Sequence, residues 1–325
     1  MASTITHAYF IIDVYDRMDI SMKEFLFDKK DFLKTSAQSM DALFFYNITN
    51  LKKGKRVREF GHYFHEHEVY EFFKTLINYI KYNNYAGNSS VMAYLYGMIS
   101  HYILDSTIHP FVIYKTGQFK KDNKTTYKYN HLHGRLETFF DNYLILVREE
   151  MKPSKFNCYN FFDTSCFDDD LTDVINFTYK EVFGINNMSK FYIHAIKNMQ
   201  FFYRIFRYDP YGVKVRFYRF IDFFKPKKYL KFDILSYNQP IKKHIDYLNL
   251  EHKIWYNPTD KNIKSNKSLI ELYTEALNTT VATIKKINEY IYDGKKTNLY
   301  LTLKNNSYTT GRDCNTEREL KYFEF

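Results

Sequence analysis

Three side chains of metal-binding type, His101, Asp105 and His109, follow one another at intervals of four residues. On an α-helix this spacing places all three along one face. The segment around them is otherwise largely apolar, so burying two imidazoles and a carboxylate there costs much free energy unless something compensates. Zinc accepts imidazole nitrogen and carboxylate oxygen, so the triplet predicts a metal site. A hydrogen-bonded polar seam between helices is the alternative at this point.

A second pair, His133 and Glu137, repeats the four-residue interval after a polar stretch. Helix bundles build metal sites by bringing side chains of facing helices together in their cores. An exposed helix pair would explain His133 and Glu137 alone, but two independent matches together favour a metal. Ligand sets that contain carboxylates and lack cysteine are typical of catalytic zinc, which keeps water in its shell.

The elements that must position these residues are predicted to be helices. Residues 90–108 have an apolar stripe near the helical period, with a cap at residues 88–90 and Pro110 ending the helix. The same period predicts further helices over residues 36–46, 66–82, 133–149, 173–183, 189–208 and 269–292. Residues 114–130 read as a loop, and the alternating residues 298–303 predict a short terminal strand or extended tail.

The composition supports this architecture. The chain of 325 residues has only 10 Gly and 6 Pro, which favours long helices with short connections. We predict an all-α multi-helix bundle in one domain, residues 1–325. Its metal-binding core covers about residues 1–150, and residues 151–325 form a helical remainder with a short extended C-terminal appendage.

Charge and cysteine content narrow the functional classes. The formal charge of +10 suits acidic partners, but basic and acidic residues are mixed along most of the chain, which favours a solvated surface. Three cysteines cannot form a disulfide framework. The first residues lack a basic start followed by an apolar core, and no run of about 18 apolar residues occurs. We therefore expect a cytoplasmic protein without a membrane span, able to contact anionic membranes peripherally.

The full series of these residues resembles the zinc-dependent phospholipase C family, which includes secreted bacterial enzymes that cleave phosphatidylcholine. Besides the two helical motifs, the resemblance covers His7, Asp41 and His65. It spans roughly the first 140 residues, with looser similarity around Trp255 and Ser307. The resemblance implies an all-α fold with a trinuclear zinc cluster at the bottom of a cleft.

The resemblance also implies a role for each residue. A first zinc would be held by four side chains, those of Asp41, His65, His101 and Asp105. A second zinc would be held by three, those of His109, His133 and Glu137. A third would be held by His7 and the chain's own amino terminus, with Asp105 bridging the first and third ions. Asp41 would be the catalytic residue that orients or deprotonates the attacking water.

The implied activity is zinc-dependent phosphodiester hydrolysis in lipid metabolism. Clustered zinc ions stabilise charge in the pentacoordinate transition state, and a metal-activated water attacks phosphorus. A phospholipid substrate would yield diacylglycerol and a phosphorylated headgroup.

The sequence departs from the family at several places. The relatives' amino-terminal Trp ligand is missing, so the third zinc would need the amine of Ala2 or help from Asp13. The family's choline-binding aromatic positions hold Ala42 and His62, with Tyr9, Phe44 and Tyr46 as candidate substitutes. His62 or His67 could replace His65, and His131 could replace His133. We prefer His65 because Phe72 and Phe73 follow at the family's distance, and His133 because Glu137 follows it.

Two alternative functions remain open from the sequence. A zinc-dependent single-strand nuclease has the same fold and metals, and a basic chain suits nucleic acid, although no aromatic and basic groove can be located. A non-catalytic domain that binds metal for stability or contacts membranes is the third hypothesis. The carboxylate-rich ligand set makes the third hypothesis the weakest.

Overall fold

The computed structural model describes residues 4–50, 52–229, 231–238, 246–316 and 319–324. The α-helices of these residues are α1 (Thr4–Asp16), α2 (Ile20–Phe25), α3 (Lys30–Ser36), α4 (Lys55–Phe64), α5 (Val69–Tyr82), α6 (Ser89–Thr116), α7 (Leu132–Glu149), α8 (Asp169–Phe183), α9 (Met188–Phe202), α10 (Val213–Phe224), α11 (Leu269–Ile291) and α12 (Leu299–Leu303). Two short antiparallel strands, β1 (Trp255–Asn257) and β2 (Asp260–Ser265), form the only sheet of the described residues. The predicted all-α class is confirmed. None of the described helices combines the length and the hydropathy that a membrane span requires.

Helix α6 is the central element of the fold. It is buried along most of its length and packs against α1, α3, α7 and α11. The Asn88 side chain caps its first turn by accepting hydrogen bonds from the backbone N–H groups of Ser90 and Val91, at 2.8 and 3.2 Å. A helix that other elements surround on all sides is mostly apolar all round. Because α6 is surrounded in this way, several of its polar side chains are buried as well.

The prediction that Pro110 ends this helix is wrong, because α6 continues to Thr116. An interior proline costs about 3 kcal/mol through its missing N–H and its ring. Beyond Pro110, however, Phe111 and Val112 are almost completely buried, and the Phe111 ring packs on Trp255 of β1 at 5.6 Å between centroids. Burial of two such side chains contributes about 1.5–3 kcal/mol each, which offsets the cost of the proline.

Two other boundaries differ from expectation. Residues 36–46 are not one helix: α3 ends at Ser36, Ser39 has a positive φ of 47°, and a 3-10 helix runs over Ser39–Phe45. Residues 298–303 are not a strand but α12, capped by the Asn298 side chain. Leu299 and Leu303 are four residues apart, so one helical face buries both.

The remaining predicted helices are confirmed with shifted ends. Helix α7 covers 133–149, α5 begins at Val69 rather than residue 66, α8 begins earlier at Asp169, and α11 covers 269–291. The predicted helix 189–208 consists of α9 followed by a π-helical turn at Tyr203–Arg207. Within the expected loop 114–130, residues Lys124–Tyr129 form a 3-10 helix.

Candidate metal centre

Close packing between α6 and α3 places the first histidine of α6. A Cβ atom on Gly97 would lie 2.3 Å from Cβ of Ser36, so the two helices approach at a distance that only glycine permits. One turn later, the Nδ1 atom of His101 lies 2.8 Å from the carbonyl oxygen of Ala37, at the end of α3. Asp41 follows within the 3-10 segment, so the α3 region and α6 face each other across the site.

Four of the predicted ligands form a deep group, defined here as His7, Asp41, His101 and Asp105. One ligand atom from each lies within 4.8 Å of those of the others, and all four side chains are buried. His7 Nε2 is 3.1 Å from Asp105 Oδ1, and His101 Nε2 is 3.1 Å from Asp105 Oδ2. The His7 and His101 rings are stacked at 4.0 Å between centroids.

The other three predicted ligands form an outer group, defined here as His109, His133 and Glu137. Glu137 Oε1 lies 3.0 Å from His133 Nε2 and 3.5 Å from His109 Nε2. The His133 side chain is 36% exposed, whereas Asp105 in the deep group is 1% exposed. Asp105 Oδ2 also lies 3.7 Å from His109 Nδ1, so Asp105 connects the two groups.

Backbone carbonyls fix the orientation of three imidazoles. The Nδ1 atoms of His65, His101 and His109 lie 2.6, 2.8 and 3.0 Å from the carbonyl oxygens of Gly61, Ala37 and Tyr308, respectively. A carbonyl oxygen only accepts, so Nδ1 carries a proton in each ring and Nε2 is the nitrogen directed at the site. Metal-binding histidines are oriented in this way in proteins.

Several polar atoms at the centre lack hydrogen-bond partners among the described residues. They are Nδ1 of His7, Nε2 of His101, both carboxylate oxygens of Asp105 and Oε2 of Glu137. Buried polar groups are costly when unsatisfied, so this concentration of ligand atoms suits the binding of a cation. Ligands of a tetrahedral zinc lie about 3.4 Å from one another. The separations of 3.1 to 3.9 Å around Asp105 and His101 fit that geometry.

Burial and neighbouring charges set the protonation of the deep group. Burial would raise the pKa of Asp105, but the nearby His109, His101 and His7 hold it well below its usual range. Asp41 behaves similarly, because the hydrogen bond from His65 and the charge of His101 outweigh burial and lower its pKa. Burial, followed by repulsion from His101, lowers the pKa of His7. Burial would lower the pKa of His101, but Asp105 and Asp41 raise it. The deep group thus combines two carboxylates of lowered pKa with one imidazole of lowered and one of raised pKa.

In the outer group, attraction between opposite charges outweighs burial and favours the charged forms of His109 and Glu137. Burial would lower the pKa of His109, but Asp105 and Glu137 raise it to about 9. Burial would raise the pKa of Glu137, but His133 and His109 lower it. A site with ionised carboxylates and a protonated imidazole must release a proton when it binds a cation.

His65 lies beside the deep group. Its Nε2 is 2.9 Å from Asp41 Oδ1, so it reaches the carboxylate that the resemblance assigns to the same zinc. His62, His67 and His131 are not part of either group. The His62 ring packs on Phe44 at 4.5 Å, and the His67 ring stacks on Tyr63 at 4.0 Å.

Of the ligands expected for the third zinc, His7 and Asp105 lie among the described residues, but the amino terminus does not. Residues 1–3, including the Ala2 amine, lie outside the described residues. Asp13 lies away from both groups, in an ion pair with Arg148 and a 2.6 Å hydrogen bond from the Tyr273 hydroxyl. Among the candidate substitutes for the choline-binding aromatics, Phe44 packs beside His65 at 5.7 Å. Tyr9 instead donates to Glu149, and Tyr46 packs on His194.

Tyr308 is a residue of the site that the sequence did not assign. Its carbonyl oxygen orients His109, its backbone N–H donates to the His65 carbonyl at 3.0 Å, and its ring packs on His65 at 4.8 Å. Gly311 holds this loop against α6: it has a φ of +65°, and a Cβ there would lie 2.3 Å from the Ser106 carbonyl oxygen. In the sequence, the only sign of this residue was the looser family similarity around Ser307, which did not indicate a role for Tyr308.

Comparison with known proteins gives a match over the part of the chain that contains the two groups of candidate ligands. The family profile described as zinc dependent phospholipase C matches residues 6–185, which is more than half of the chain. The chain belongs to the zinc-dependent phospholipase C family. This is a family of hydrolases, and the matched range includes both groups of the candidate centre. No curated protein and no solved structure gave a significant match.

Proposed function

We propose that this chain is a zinc-dependent phosphodiester hydrolase that cleaves phospholipids into diacylglycerol and a phosphorylated headgroup. One observation carries the proposal: Asp105 is fully buried, lacks hydrogen-bond partners for both oxygens, and is approached by three imidazoles from two adjoining groups. In a polar seam without metal, this arrangement would carry a high free-energy cost of burial, whereas it suits a multinuclear metal centre.

The proposed ligands are the deep group with His65 and the outer group, holding two to three zinc ions. Bound zinc would supply Lewis acidity toward a phosphoryl oxygen and would lower the pKa of water. The protein's part is to fix the imidazoles through the carbonyls of Gly61, Ala37 and Tyr308, so that they do not reorient during the reaction.

Asp41 is the proposed catalytic residue. Its lowered pKa keeps it ionised near neutral pH, so it can accept a hydrogen bond and then a proton from the attacking water. His65 Nε2 lies 2.9 Å from its Oδ1 and His101 Nε2 lies 3.9 Å from its Oδ2, so the two imidazoles flank the carboxylate on both oxygens. Asp41 is only 3% exposed, which shields this proton transfer from bulk water.

The test combines metal analysis with a panel of substrates. Mass spectrometry of the purified protein should find two to three zinc ions per chain, and a protein that takes up no zinc would contradict the proposal. Phosphatidylcholine, other phospholipids, bis-p-nitrophenyl phosphate and single-stranded DNA are then assayed together, with chelator-treated and zinc-restored samples as controls. Release of diacylglycerol and phosphorylated headgroup is expected. Nucleotides from DNA without lipid cleavage would identify the nuclease alternative, and zinc without any turnover would identify a non-catalytic domain.

A further inference from the structure

Helix α10 turns an apolar stripe toward solvent. Five of its side chains are between 59% and 83% exposed, namely Val213, Phe217, Phe220, Phe223 and Phe224. The Phe224 ring contacts those of Phe220 and Phe223 at 5.3 and 5.1 Å between centroids, so the stripe is continuous. Soluble proteins rarely expose contiguous apolar patches of this kind unless the patch binds something.

The opposite face of α10 is anchored to the protein. Val215 and Tyr218 are buried, and the Tyr218 hydroxyl donates to the carbonyl oxygen of Phe206 at 3.1 Å. Asp222 accepts the backbone N–H groups of Phe232 and Asp233 at 2.8 Å and holds the segment that follows the helix. The outward direction of the phenylalanines is therefore fixed by the fold.

Positive charge is concentrated around this stripe. Residues 211–231 contain seven Lys or Arg residues and one acid, so this short segment carries a net charge of +6 out of the chain's +10. Arg216 and Arg219 are exposed on the helix itself, and Lys227 and Lys228 are exposed just beyond it. The rest of the chain contains 40 Lys or Arg and 36 Asp or Glu residues, a net charge of only +4. Both the charge and the apolar side chains thus mark the same surface.

The surface adjoins the segment that leads into α7, the helix that carries His133 and Glu137. A cleft of about 430 Å³ is lined by Phe223, Lys225 and Tyr229 on one side and by His131 on the other. His131 precedes His133 of the outer group by two residues. The Arg135 guanidinium pairs with Asp233 at 2.9 Å and holds the segment after α10 against the start of α7.

We propose that the exposed face of α10 is a membrane-docking surface that inserts its phenylalanines into a lipid bilayer containing anionic lipids. A helix with apolar side chains on one stripe and Lys or Arg beside it binds the membrane interface by area and charge together. Nucleic acid fits less well, because rings exposed this far project into solvent rather than line a groove in which bases stack. Docking here would bring the cleft beside His131 to the lipid surface. Only the role of this cleft in lipid cleavage rests on the proposed function, because docking itself needs no turnover.

The test measures docking without relying on catalysis. The full-length protein is sedimented with vesicles of pure phosphatidylcholine and with vesicles containing about one third phosphatidylglycerol, at low and high salt. We expect strong binding to the anionic vesicles, and weaker binding in high salt because ions screen the charges. Replacing Phe220 and Phe223 by Ser should lower the partition coefficient at least about tenfold, and R216E with R219E should do the same on anionic vesicles.

Matched controls carry the same changes elsewhere. Phe27 is 71% exposed at a distant position, so Phe27→Ser removes an exposed phenylalanine outside the surface. Lys285 and Lys286 are exposed on α11, so K285E with K286E makes the same charge change. Both controls should bind vesicles like the wild type. Because Phe223 is 83% exposed, the single variant Phe223→Ser serves as the test if the double variant fails to fold.

Three outcomes would overturn the inference. The first is that the wild-type protein does not bind anionic vesicles. The second is that the surface and control variants lose vesicle binding equally. The third is that the surface variants lose a dimer or single-stranded DNA binding, while their lipid binding is unchanged. Hydrolysis of a water-soluble phosphodiester is scored separately. Vesicle binding without any turnover would contradict the proposed function and support the docking surface, while turnover without binding would do the reverse.

Discussion

The deep group and the outer group contain the same two kinds of side chain in different surroundings. In the deep group all four side chains are buried by α1, α3 and α6, and burial lowers the pKa of His7. In the outer group His133 is partly exposed, and carboxylates raise the pKa of His109 to about 9. The deep group is shielded from water, whereas the outer group is partly accessible to it. We therefore expect that a metal bound by the deep group would exchange more slowly than one bound by the outer group.

The largest effect is expected for Asp105→Asn, which removes the charge that joins the two groups. Without it, His7, His101 and His109 lose their shared carboxylate, and zinc should be lost from both groups. Activity should fall by at least about a thousandfold. Breaking the buried pairs should also cost about 3–5 kcal/mol in the free energy of unfolding of the metal-free protein. Zinc content, turnover and denaturant melts measure these effects.

The control for Asp105 is Asp141→Asn. Asp141 is also buried, but it accepts hydrogen bonds from the backbone N–H and the hydroxyl of Thr6, at 2.9 Å each, outside both groups. This variant should lose stability and keep its zinc. If Asp105→Asn kept its full zinc content, the connection between the two groups would be refuted.

A smaller effect, confined to turnover, is expected for Asp41→Asn. Three members of the deep group remain, so most zinc should stay bound, while kcat should fall by about a hundredfold to ten-thousandfold as a proton acceptor is lost. Parallel zinc analysis and rate measurements separate the two quantities. Loss of zinc in proportion to activity would instead make Asp41 a ligand without a catalytic part.

The outer group is probed separately by His133→Ala. Zinc affinity of that group should weaken about 10- to 100-fold, in the range of changes that disturb a metal shell, while the deep group keeps its metal. Titration with a graded chelator should then show one weak and one unchanged population. His131→Ala is the matched control, because His131 is two residues away and belongs to neither group. A uniform loss of all zinc would show that the groups are not independent.

The smallest effect is a release of protons. The pKa of His109 is about 9 in the metal-free protein, so this imidazole is protonated at neutral pH. Zinc binds neutral imidazole, so binding at pH 7 displaces this proton, and affinity should rise with pH and level off near 9. Calorimetry in two buffers of different ionisation enthalpy counts the protons. Wild type should release more protons than His109→Ala, and equal release would contradict the assignment of the proton to His109.

The structure confirmed some sequence expectations for local reasons and revised others for long-range ones. The intervals of four residues in α6 and α7 place the candidate ligands on one face of each helix, whatever surrounds it. The path of α6 past Pro110 was not predictable in this way, since it depends on Phe111 packing against Trp255, far along the chain. The third zinc, the choline-like pocket and the catalytic part of Asp41 remain predictions.

The sequence by itself determined the candidate ligand types, their helical spacing and the all-α class, because these follow from periodicity and donor chemistry over a few turns. The resemblance to the zinc-dependent phospholipase C family added His7, Asp41 and His65. Only the tertiary structure decided that His7 joins Asp41, His101 and Asp105 as the buried set, and that Asp105 faces both groups. It also decided that Tyr308 orients His109. These contacts join residues up to about two hundred positions apart, and only the packing of helices around α6 brings them together.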